Sequence, residues 1–104
     1  MQFNAPQQIA KGRLSIGKFK DAAGRPETAY ILRLPAAGCL DAKDAEFRVK
    51  SARTIHIYSF DDKLRAQMSR LAGKDVSVRG KPFGAHTAHH HAPIVMEISQ
   101  IDAI

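Results

Sequence analysis

Apolar and polar residues alternate along most of this chain, and the alternation gives way only once to a helical spacing. From Ile9 to Phe19, Leu14 and Ile16 fall on one face and Arg13 and Ser15 on the other, the period of a half-buried strand. Gly12 and Gly17 within that run suggest a bulge or a sharp coil. Asp21-Ala-Ala-Gly-Arg-Pro-Glu27 is turn chemistry. A second strand follows over Thr28–Leu34, with Tyr30, Leu32 and Leu34 on one face and Pro35 as its end. Residues 35–52 read as the longest irregular stretch, with Phe47-Arg-Val49 as a short strand inside it. In Thr54-Ile-His-Ile-Tyr-Ser-Phe60, a third strand, Ile55 and Ile57 point one way and His56, Tyr58 and Phe60 the other.

The helical spacing comes next. Leu64, Met68 and Leu71 recur at i, i+4 and i+7, Asp61 or Asp62 is placed as the N-cap, and Gly73 is placed to end the helix in the left-handed region. Asp75–Arg79 is a fourth strand closed by Gly80, and residues 93–101 are a fifth, with Ile94, Met96 and Ile98 inward. Residues 1–8 are polar and Pro-containing and predict a flexible N-terminal arm; residues 9–104 predict one domain. Three strands, a helix and two strands predict a mainly β fold: a five-stranded OB-like Greek-key barrel with one helix between strands three and four, plugging one barrel end.

A net charge of +6 favours acidic partners, but Lys and Arg are scattered and often adjoin acids, as in Lys20-Asp21 and Lys74-Asp75. That is mainly a solvated, basic surface. No apolar run approaches the roughly 20 residues needed to cross a bilayer, so no membrane insertion is expected. Met1-Gln-Phe-Asn-Ala-Pro has neither the basic nor the apolar region of a signal peptide. Cys39, the only cysteine, leaves no internal disulfide and reads as a small, partly buried residue.

Leu71-Ala-Gly-Lys-Asp-Val-Ser-Val-Arg-Gly80 followed by Phe83-Gly-Ala-His-Thr-Ala-His-His-His-Ala-Pro-Ile-Val95 resembles the C-terminal signature of a bacterial domain-of-unknown-function family. Its members end in a Gly-Lys-x-Val-x-Val-x-Gly strand and a His-Thr-Gly-His-His-His-Thr-Pro loop. Pro26-Glu-Thr-Ala-Tyr-Ile-Leu-Arg-Leu34 resembles the family's second strand. Ala88 stands where members often carry Gly, and Ala92 where they carry Thr; the upstream cysteine of many members is missing here. The resemblance implies a small bacterial domain, frequent in exported or envelope proteins and hence periplasmic or envelope-associated, with no assigned activity and no catalytic residue.

His86, His89, His90 and His91 concentrate unusual chemistry in one loop. Neutral imidazoles suit zinc, copper or nickel, and Asp102 or Glu97 would complete an open site. In an extended segment His89 and His91 share a side and His90 takes the other. The His-x-x-His-His-His spacing matches no standard zinc motif. The leading alternative is that these side chains hydrogen-bond loop backbone, with Thr87, and hold the connection rigid. At mildly acidic pH the cluster would gain charge and could act as a switch.

OB barrels commonly bind partners on the face of strands two and three, between the loops after strands one and four. Here the rim is Asp21–Glu27 and Lys81–Ala92, and the candidate binding residues are Arg33, His56, Tyr58, Phe60, Phe83 and His86. No nucleophile elbow, phosphate-binding Gly-rich loop or zinc-hydrolase motif is present, so no catalysis is expected. The expectation is a non-catalytic OB-fold binding module for a protein or small ligand, an acidic one fitting the charge, including an inhibitor or immunity-type role. The alternatives are transition-metal binding through the histidine loop, the only cofactor implied, and single-stranded nucleic-acid binding. For the last, Tyr58 and Phe60 would stack while Arg13, Lys18, Arg79 and Lys81 meet phosphates.

Overall fold

The two-residue alternation builds five strands in a computed structural model that describes all 104 residues. They are β1 (Gln8–Lys20), β2 (Pro26–Leu40), β3 (Val49–Tyr58), β4 (Asp75–Gly84) and β5 (Ile94–Ala103), with one helix, α1 (Asp62–Leu71), between β3 and β4. The strands close in the order β1-β2-β3-β5-β4, with β4 returning to pair with β1. Only the β3–β5 pair is parallel. Closure leaves no open sheet edge.

Inward positions fill the barrel: Leu14, Leu32, Ile55, Ile57, Ile94 and Met96 are wholly buried. Met68 of α1 joins this cluster as the plug, with Leu64 and Leu71 packed beside it. Asp61 caps the helix, its Oδ1 accepting from the Leu64 backbone N–H at 3.0 Å. Gly73 has φ +86° and donates its N–H to the Leu14 carbonyl at 2.7 Å, so the helix stop also ties α1 to β1.

Four expectations are corrected. Pro35 does not end β2, which continues to Leu40; the β2–β3 register shifts between Arg33 and Gly38, so Pro35 sits at a break in the ladder where its missing N–H costs no pairing. Phe47 belongs to a short 3₁₀ turn over Ala45–Phe47, not to a strand. Cys39 is exposed, because its neighbour Leu40 takes the inward position. Residues 1–8 are not a loose arm. The Phe3 N–H donates to the Asp41 carbonyl and the Asn4 N–H to the Pro82 carbonyl, both at 2.7 Å, and the Phe3 ring stacks on Phe47 at 4.9 Å. Two apolar side chains, Met1 and Phe3, pack on the core and hold this strap down.

Candidate ligand-binding face

Pairing fixes which outward side chains are neighbours on the β1–β2–β3 face. One row carries Arg13 opposite Arg33, itself opposite Thr54. The next carries Ser15, Ile31 and His56, and Phe19 lies opposite Glu27 where β1 meets β2. The face is thus basic at one end and aromatic at the other.

At the basic end a cleft of about 530 Å³ is lined by Lys11, Arg13, Arg33 and Arg53, with Asp75 and Ile104. Arg13 is braced, its Nε donating to Asp75 at 2.9 Å and one terminal nitrogen to the Gly73 carbonyl at 2.8 Å. Lys11, Arg33 and Arg53 have no acidic partner.

The aromatic end is a chain of ring contacts. Phe19 stacks on His91 at 4.2 Å, His91 lies 5.7 Å from His56, and His56 meets Tyr58 edge-on at 6.4 Å. Tyr58 in turn contacts Phe60 and Phe83, and Phe83 contacts His86 and His90. Gly17 makes this possible: a side chain there would run into the Phe19 ring, which lies back over the glycine. The ring contacts bring His56, Tyr58, Phe60, Phe83 and His86 together, while Arg33 stands one row from His56 on the basic side of the face. Phe60 lies beyond the end of β3 with 81% of its surface open.

The histidine loop folds onto this end. Glu27 receives His89 Nδ1 on one oxygen and His91 Nε2 on the other, each at 2.6 Å. The His91 backbone N–H donates to His56 Nδ1 at 3.2 Å, and the His86 backbone N–H to His90 Nδ1 at 3.1 Å. Each accepting Nδ1 must carry a lone pair, so the proton of His56 and of His90 sits on Nε2 and both rings are neutral. Their surroundings agree. Burial, then the nearby His91 and His90, push His56 down to about 4, and burial followed by its histidine neighbours also lowers His90. The hydrogen bonds from His91 and His89 hold Glu27 below its usual range. Burial, then Glu97, raises Tyr58.

The alternation expected of the loop is present, His89 and His91 on one side and His90 on the other. It divides the four histidines, expected as one metal set, into a pair on Glu27 and a pair beside Phe83. No three His, Cys, Asp or Glu side chains are gathered in a metal-holding arrangement. The carboxylate that meets the loop is Glu27, not Glu97 or Asp102; the latter accepts from Gln100 at 2.7 Å. Sequence reasoning placed Glu27 only on the rim and missed Phe19, Lys11 and Arg53. Phe19 was within reach, since it shares the outward parity of Arg13 and Ser15.

A closed Greek-key barrel with its one helix between β3 and β4 makes this an OB-fold chain. Residues 54–102, just under half of the chain, match a family model described as a domain of unknown function, DUF4431, which bears out the resemblance at that level over the second half of β3 and all of α1, β4 and the histidine loop. The whole chain is similar in structure to the small single-stranded DNA-binding protein from Streptomyces coelicolor, at 15% identity and a TM-score of 0.55, over 98% of this chain and 96% of that one. At that identity the likeness is one of fold. No curated protein matches the chain.

Proposed function

We propose that the chain is a non-catalytic binding module and that its β1–β2–β3 face takes single-stranded nucleic acid. One observation carries this reading: unpaired cations and aromatic rings occupy the same outer face. Arg33 and His56 lie in adjacent rows of that face, two residues apart along the ladder, since Arg33 pairs with Thr54 and His56 with Ile31. A ligand spanning that face has to offer anions to one end and planar rings to the other. An unpaired nucleotide strand does both, because phosphates meet Lys and Arg while bases stack on aromatic faces. An acidic protein would use Arg33, Arg53 and Lys11 but would leave the exposed Phe60 and the Tyr58 edge without a natural counterpart. That the Streptomyces coelicolor protein of the same fold is named for single-stranded DNA supports the reading.

Fluorescence anisotropy with a labelled single-stranded oligonucleotide tests it. Binding should weaken linearly in log–log terms as salt rises, and should exceed binding to the matching duplex. No binding at low salt would reject nucleic acid and return the face to an acidic protein partner.

A further inference from the structure

His91 occupies a slot between two rings. It is parallel to Phe19 within 5° and lies 23° from parallel with His56, and those two rings do not touch each other, so the imidazole separates them. Only 9% of its side chain is exposed, and its edge rests on one oxygen of Glu27 while His89 takes the other. Single-stranded bases are held in this manner, with a ring between aromatic faces and its edge on a fixed polar group. The chain's own imidazole fills a base-shaped place.

Few hydrogen bonds tie the loop that carries His91 to the barrel, and the rest of its hold is ring contact with Phe19, His56 and Phe83. Beyond the Ala85–Pro93 bond at its neck, its hydrogen bonds to the barrel are His91 N–H to His56 and the two imidazoles to Glu27. Its other bonds, His90 N–H to the Thr87 carbonyl, His89 N–H to Thr87 Oγ1 and His86 N–H to His90 Nδ1, are internal. The tip can therefore lift as one piece.

We propose that the space between Phe19 and His56 is a base-binding slot kept closed by His91, and that its ligand is guanine. The selection comes from Glu27, whose two oxygens each take a separate donor. Guanine presents two adjacent in-plane N–H donors on its Watson–Crick edge. Adenine and cytosine place an acceptor beside their amino group, and thymine flanks its single N–H with carbonyls, so each would set a lone pair against the carboxylate. The proposal rests on the nucleic-acid reading. Because His91 must leave first, affinity for the slot is reduced by the fraction of time it is shut.

The experiment uses oligo-dT carrying one central guanine, hypoxanthine or adenine, with the wild-type chain, Glu27→Gln and His91→Ala. The wild type should prefer guanine over hypoxanthine, which lacks the second donor, by about tenfold. Glu27→Gln should erase that preference, and His91→Ala should strengthen guanine binding. Wild-type NMR gives a reading independent of how well the variants fold: Phe19 and His91 ring signals should shift with the guanine oligonucleotide and not with the hypoxanthine one. Equal affinities with unmoved ring signals would overturn the slot and leave nucleic-acid binding standing. If no oligonucleotide binds, GMP and IMP added to His91→Ala decide separately: selective GMP binding keeps the slot without the polymer, and equal or absent binding removes it.

Discussion

At one end of the outer face Arg33, Arg53 and Lys11 stand in solvent without acidic partners; at the other, Phe19, His91 and His56 are packed ring on ring beneath a loop. The contrast follows from how the two kinds of attraction work. Charge acts over roughly a Debye length and tolerates mobile side chains. Stacking acts only at contact and needs rings held in a set geometry. The basic end is therefore left open, while the aromatic end is braced by Glu27, by two backbone N–H groups on imidazole nitrogens and by the glycine under Phe19.

The comparison is broken most strongly by reversing charge at the open end. Arg33→Glu combined with Arg53→Glu should weaken oligonucleotide binding by about 100-fold and flatten its salt dependence, leaving thermal stability near the wild type. An unchanged salt slope would show that the cleft is a bystander. Next comes the backbone beneath that end. A Cβ at Gly12 would run into the Arg33 carbonyl oxygen, so Gly12→Ala should force β1 and β2 apart and cost about 2 kcal/mol in chemical denaturation. Phe60→Ala, at the exposed rim, should cost about tenfold in oligonucleotide affinity with little change in stability. Equal affinity would confine stacking to residues inside the loop's cover.

The smallest effect expected concerns pH, and it sharpens the contrast because the two imidazoles whose proton affinity the fold lowers, His56 and His90, both lie at the aromatic end. His56 faces His91, His90 and Glu27, and its folded value of about 4 lies below the 6.5 of the free side chain. Between those values the unfolded chain binds the extra proton. The contribution is whole above pH 6.5 and is lost as pH falls towards 4. His90 acts in the same direction, and the lowered Glu27 adds to the loss below about pH 4.5. The melting midpoint should drop by a few degrees from pH 7 to pH 5, with amide exchange rising first across residues 86–91. A midpoint flat over that interval would mean that the imidazole clips contribute nothing.

Local rules made most of the barrel legible. Period-two alternation picked out all five strands, and the i, i+4, i+7 spacing with Asp61 and Gly73 picked out the one helix. Alternation even sorted His89 and His91 from His90. What escaped was long-range. The Glu27 contacts span 62 and 64 residues, and nothing near Glu27 announces two imidazoles. Phe3 looked like part of a polar tail because its partners, Asp41 and Phe47, lie far along the chain. Pro35 reads as a strand end, since no local rule reveals the register shift that accommodates it.

The parallel pairing of β3 with β5 has a consequence for how the molecule comes into being. Residues 94–103 join β3 to β4: they fold back on β4 through the histidine loop, but their parallel partner β3 lies on the far side of α1 and all of β4 in sequence. Such non-local closure is slow. While a ribosome is still adding those residues, the nascent chain has two unzipped edges able to pair with a neighbour's, so the interval before Ile94 to Ala103 emerges is when co-translational aggregation threatens most.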